Sequence, residues 1–117
     1  MRFVKILYAS VAAAILALGL LHMATTFRLS SSPESKVWFF GAGLAIAFGG
    51  VLNLLNGRYG PGAIGLRAAC IGANILMVGF GAVAGRVTRA SAAEQAIILT
   101  MLVSALILSA TRSAKEG

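Results

Sequence analysis

Charge is what this chain has least of. Three of its 117 residues are acidic, charged residues of both signs make up 11%, and there is one cysteine, one histidine and two prolines. A soluble domain carries about 25% charged residues, so this chain lacks the means to clothe a water-exposed surface. Each scarcity also removes a chemistry. Cys70 has no second cysteine to pair with and lies in an apolar run, where it reads as a small hydrophobe. One His, one Cys and four Met cannot close a tetrahedral metal site within one chain, and a bis-histidine haem would need two copies. No metal and no cofactor is therefore expected. The chain also has no Cys-x-x-Cys, no nucleophile–base pair and no glycine-rich phosphate loop opening a soluble helix. An enzyme acting alone is not expected.

What is present is apolar. Hydrophobic residues make up 59% of the chain and the mean hydropathy is +0.92, the composition of an integral membrane protein. The formal charge of +7 would suggest nucleic acid in a soluble chain. Here the ten basic residues fall singly between apolar runs, as anchors and topology signals, so the expected partner is the lipid bilayer and not nucleic acid.

A bilayer core of about 30 Å needs about 20 apolar residues wound as a helix, because lipid offers the backbone no hydrogen-bond partner. Four segments qualify, over 4–27, 33–55, 63–83 and 92–111, and predict an all-α integral membrane protein: one domain over 1–117, folded as an antiparallel four-transmembrane-helix bundle. "SPES" places Ser32 at an N-cap with Pro33 at the first helical position, and "SAAE" pairs Ser91 with Glu94 as a capping box. "NGRYGPG" over 56–62 predicts a tight turn between the second and third spans. Arg2 and Lys5 ahead of the first span admit a secretory signal peptide. The apolar stretch is longer than a typical signal core and no Ala-x-Ala site follows it, so it is read as a span.

Arg2, Lys5, Arg58, Arg67, Arg112 and Lys115 lie at one set of span ends, against Arg28, Lys36, Arg86 and Arg89 at the other. Six against four places both termini in the cytoplasm.

Membrane helices associate through small residues and interhelical hydrogen bonds, so the positions of such residues predict the packed faces. The expected stripes are Ala12, Gly19, His22 and Thr26 on the first span, and Trp38, Ala42, Ala45, Gly49, Asn53 and Asn56 on the second. Those of the third are Gly65, Gly72 and Gly79 flanked by Ala69 and Ala73, with Gly81 and Gly85 as a GxxxG pair. Those of the fourth are Ala93, Ala96, Thr100, Ser104 and Thr111. Hydroxyls such as Thr100 and Ser104 can also bond their own helix backbone.

The candidate functional residues are few. His22 lies about one turn inside the end of its span, near the level of Trp38 and the "GAG" at 41–43. An ionisable group within a span is a functional hypothesis by default. The alternative is a neutral imidazole that donates to a threonine hydroxyl or a backbone carbonyl and fixes how the first helix meets the second. Asn74, mid-span, should find a partner on another helix and set register. Asn53, Asn56 and Arg67 should share a level near the cytoplasmic side, where Arg67 can snorkel or donate to Asn53.

From "LHMATTF" through "VWFFGAGLAIAFGGVLNLLN" the chain resembles a loose group of small bacterial inner-membrane proteins with four spans. A histidine near the end of span one there precedes "W-F-x-G-A-G-L" and "L-N-L" in span two. The matching residues are His22, Trp38, Phe39, Gly41, Ala42, Gly43, Leu44, Leu52, Asn53 and Leu54. The resemblance implies an inner-membrane location and directs attention to His22, Trp38 and Asn53; it supplies no reaction. The small multidrug-resistance transporters match in length and span number but depend on an acidic residue in their first span. This chain has Glu34 and Glu94 at helix starts and Glu116 in the tail, so that resemblance fails at its functional residue.

Two functions remain from different classes. One is a non-enzymatic accessory or scaffold subunit that packs against itself, as a homo-oligomer, or against a larger membrane complex. The other is an oligomeric small-solute or ion transporter or channel, with His22 and Thr26 at an outer vestibule and Asn53 and Arg67 at the inner end. A site for a lipid or quinone-like ligand near Trp38 and His22 is a third reading.

Overall fold

The chain folds as four long helices that turn back on one another. The structure, a computed structural model, describes residues 2–116, with side chains through residue 111. The helices are α1 (Arg2–Thr26), α2 (Pro33–Tyr59), α3 (Ile64–Val87) and α4 (Ala92–Glu116), and a 3-10 turn over Gly60–Gly62 joins α2 to α3. All four are long and apolar enough to cross a membrane. The bundle is 47 Å long, against about 30 Å of hydrocarbon, so the helix ends project into the headgroup layers. Arg112, Lys115 and Glu116 have side chains outside the described residues.

The two serine caps form as the sequence predicts, although among the described residues Glu94 does not return the bond that a full capping box makes to Ser91 N. Ser32 Oγ accepts from Ser35 N at 3.2 Å with Pro33 in the first turn of α2, and Ser91 Oγ accepts from Glu94 N at 3.2 Å. Three C-terminal ends run longer than expected, that of α4 reaching Glu116 beyond Thr111. The α2 helix continues through Asn56 and Gly57 to Tyr59, because no proline intervenes before Pro61 and Gly60 is still helical at φ −52°. The reversal is left to the 3-10 turn and to extended Ala63 at φ −136°. The α3 helix runs four residues past Val83 and closes with Ala90 N donating to Gly85 O at 3.0 Å. Arg89 occupies the left-handed position of that cap at φ 55°, where glycine is usual.

The bundle is apolar outside and partly polar inside. Trp38, Phe48, Leu76, Val83, Ile97 and Ile107 are exposed, a surface suited to lipid. Within, Ile15, Ile46 and Ala105 form a core with Val11, Leu18, Met77 and Met101 packed on it.

Small residues decide which faces meet, though not always those the stripes predicted. On α1 the stripe holds: Ala12, Gly19 and Thr26 are buried, with Tyr8 and Ile15. On α2 the buried face is Gly43, Ile46, Ala47, Gly50, Asn53 and Asn56. Asn53 and Asn56 are as expected, but Trp38 and Ala45 point outward. The segment "GAGLAIAFGG" offers small residues on more than one face, and α1 selects among them. A Cβ on Gly50 would stand 2.8 Å from the Leu16 Cα, one on Gly43 would stand 2.9 Å from the Met23 nitrogen, and one on Gly19 would collide with the Ala47 backbone.

On α3 the expectation fails more fully. Gly65, Gly72 and Gly79 have no atom near the place a Cβ would take, and the buried residues are Cys70 and Asn74. On α4, Ala93, Ala96, Thr100 and Thr111 are exposed, whereas Leu102, Ala105 and Ser109 are buried. Hydroxyls can face lipid here because their own helix satisfies them: Ser104 Oγ donates to Thr100 O and Thr111 Oγ1 to Ile107 O.

Candidate functional site

All the buried polar residues except Thr26 join one cluster to which all four helices contribute. At its centre the side-chain amides of Asn53 on α2 and Asn74 on α3 bond reciprocally, each Nδ2 donating to the other's Oδ1 at 2.9 Å. Asn53 Oδ1 also accepts from the Tyr8 hydroxyl on α1 at 2.7 Å and from Cys70 Sγ at 3.3 Å. Asn53 Nδ2 has a second acceptor in Gly49 O at 2.8 Å. From α4, Ser109 Oγ accepts from Asn74 Nδ2 at 3.1 Å. Asn56 Nδ2 donates to the Tyr8 hydroxyl at 3.0 Å, while the Asn56 Oδ1 is a buried acceptor with no partner among the described residues.

Burial is close to complete: Asn53 is 1% exposed, and Tyr8, Cys70, Asn74 and Ser109 are also buried. Sequence explains the placement of the α2 and α3 pairs and of Tyr8. Asn53 and Asn56 share a face of α2 at i, i+3, and Cys70 and Asn74 share one of α3 at i, i+4. An amide in hydrocarbon must find partners, and the antiparallel pairing set by the turn after Tyr59 brings these two pairs to one level. The Tyr8 phenol, buried near the start of α1, meets the same demand.

Chemically the cluster is neutral, combining amides, hydroxyls and one thiol without a carboxylate. It can hold four helices in register. No three His, Cys, Asp or Glu side chains gather among the described residues.

The remaining expected site residues lie elsewhere. His22 is half-buried and stacks on Phe39, with ring centroids 3.7 Å apart and 16° between planes. Its expected neighbour Trp38 is 74% exposed on the outside of α2, at a level suited to an interfacial anchor. Thr26 is buried, and its hydroxyl donates to the His22 carbonyl oxygen at 3.2 Å, an intrahelical bond and not one to the imidazole. Arg67 is half-buried with its stem against Gly60, while Asn53 is engaged by Tyr8, Cys70 and Asn74. His22 and Thr26 thus stand at one end of the bundle, Asn53 and Asn74 inside it, and Arg67 towards the other end.

No protein-family model, curated protein or solved structure matches this chain. The site is therefore read from its own geometry.

Sequence reasoning located Asn53 and Asn74 and missed Tyr8, Cys70 and Ser109. For Tyr8 a signal existed, a phenol inside an apolar run that must bond something if buried. For Cys70 the spacing to Asn74 was the only hint. Ser109 sits among serines and threonines that bond their own helices, and nothing in the sequence sets it apart.

Proposed function

We propose that this chain is a non-enzymatic accessory or scaffold subunit of a bacterial inner membrane, built to pack against a second copy or a larger membrane complex. The observation that carries the reading is the outer face of α3. Gly65, Gly72 and Gly79 recur at seven-residue steps with open space where a side chain would be, and such seams let a second helix approach closely in lipid. The buried cluster supports it as well. Its amides and hydroxyls bond one another across the bundle, the arrangement of a lock between helices and not of a solute path.

Native mass spectrometry of gently extracted protein tests the proposal. Expected are species heavier than one chain, which disappear on Gly72→Leu while the variant stays folded. A strictly monomeric wild-type chain with no co-purifying subunit would overturn it.

A further inference from the structure

We propose that the seam between α1 and α2, at the end of the bundle where α1 begins, is a binding site for the phosphate-bearing headgroup of an anionic membrane lipid. A cleft of about 180 Å³ opens there, lined by Lys5 and Ala9 from α1 and by Asn53, Leu54, Gly57 and Arg58 from α2. Two cations more than fifty positions apart in sequence thus flank one opening.

Among the described residues no carboxylate neutralises either cation. Lys5 and Arg58 are both exposed, and the Arg58 guanidinium lies over the Tyr59 ring, 5.5 Å from its centroid. The described acidic side chains, Glu34 and Glu94, stand in the first turns of α2 and α4 at the opposite end of the bundle. Arg2 and Arg67 add further positive charge at the Lys5 end. The field at the cleft therefore selects an anion.

Depth and lining select a lipid over a free ion. Helices of 25 and 27 residues span about 37 to 40 Å against a hydrocarbon core of about 30 Å, which sets Lys5 and the Arg58 turn at headgroup level. Ala9 and Leu54 continue the cleft towards the hydrocarbon as an apolar wall, where an acyl chain can lie. An arginine fork and a lysine ammonium are the donors that phosphate takes.

Native mass spectrometry after incubation with equimolar phosphatidylglycerol and phosphatidylcholine tests the assignment. The wild type is expected to retain phosphatidylglycerol preferentially, and Lys5→Gln/Arg58→Gln to lower that retention about thirtyfold, in line with the strength of juxtamembrane cations towards anionic lipid. The charge-conserving Lys5→Arg/Arg58→Lys pair should keep the preference, as should Arg86→Gln/Arg89→Gln at the other end. No preference in the wild type, or equal loss in both glutamine pairs, overturns the proposal. A third arm adds millimolar inorganic phosphate: bound lipid that stays supports a lipid site, and lipid displaced by phosphate overturns it in favour of a free anion.

Discussion

The two hairpins of this bundle are similar in length and apolarity but differ in how their helices touch. Between α1 and α2, Gly19, Gly43 and Gly50 bring backbone against backbone, with Leu16, Met23 and Ala47 where side chains would otherwise stand. Between α3 and α4 the two glycines face side chains. A Cβ on Gly81 would meet the Leu102 Cδ1 at 3.1 Å, and one on Gly85 would meet the Gln95 amide. Backbone cannot yield to an added carbon, whereas the tip of a leucine can turn aside. The first hairpin is thus a close-packed pair and the second a looser one, with Gly65, Gly72 and Gly79 left on its outer face. Without a hydrophobic drive between helices in lipid, close packing of this kind is the main source of cohesion, so the first hairpin should carry most of the stability of the isolated chain.

The largest effect expected is from Gly50→Leu, which sets a side chain into the Leu16 backbone. Overpacking at a site that cannot relax costs about 3 kcal/mol or more, so thermal or SDS unfolding in detergent should shift far downward. A Gly50→Leu variant as stable as the wild type would end the claim that the first hairpin is close-packed. Second in size is Asn53→Ala, which removes the amide that both hairpins share, taking one acceptor from the Tyr8 hydroxyl and the Asn53 donor from Asn74 Oδ1. A loss of about 2 kcal/mol is expected from several bonds broken at once. A double-mutant cycle with Asn74→Ala should return a coupling of about 0.6 to 1.7 kcal/mol, the range of such bonds in membranes. Additive single effects would mean that the two amides do not act as a pair. Smaller still is Gly81→Ala, expected within about 1 kcal/mol of the wild type by the same unfolding assay because Leu102 can shift. A cost as large as that of Gly50→Leu would erase the difference between the hairpins.

This asymmetry also marks how far sequence reading reaches. Four apolar segments of sufficient length, with Ser32 and Ser91 as caps, were enough for the architecture, because lipid forces every span to be a helix. Asn74 was readable for a related reason, since a mid-span amide requires a partner. The rotation of each helix about its own axis was not readable from small residues alone. On α2, "GAGLAIAFGG" satisfies two faces, and the choice depends on where Gly19 sits on α1. On α3 the heptad glycines mark a face fit for close approach but not whose helix approaches, so Cys70 and Asn74 turn inward while Gly72 turns out. Hydroxyls misled in the same way on α4: Thr100 looked like a packing residue and lies on the exposed face, whereas Ser109 reaches Asn74.

The smallest effect on folding and the sharpest test of the comparison belong to Gly72→Leu. Among the described residues no atom of another helix lies within 4 Å of the position its Cβ would take, so the substitution starts in open space and not against a neighbouring helix. It replaces a residue of poor helix propensity by one of the best, a change worth somewhat under about 1 kcal/mol in favour of the helix. Unfolding of the isolated chain in detergent should therefore be unchanged or slightly improved, in contrast to Gly50→Leu. If the outer face of α3 receives another helix, four carbons placed there block the approach, and assembly should be lost from a chain that is itself intact. Crosslinking in native membranes separates the two quantities, because higher-mass products should fall while the amount of folded chain does not. Crosslinking that persists in Gly72→Leu would move any interface to another face. A fall in stability would mean that α3 sits in the bundle with a different rotation.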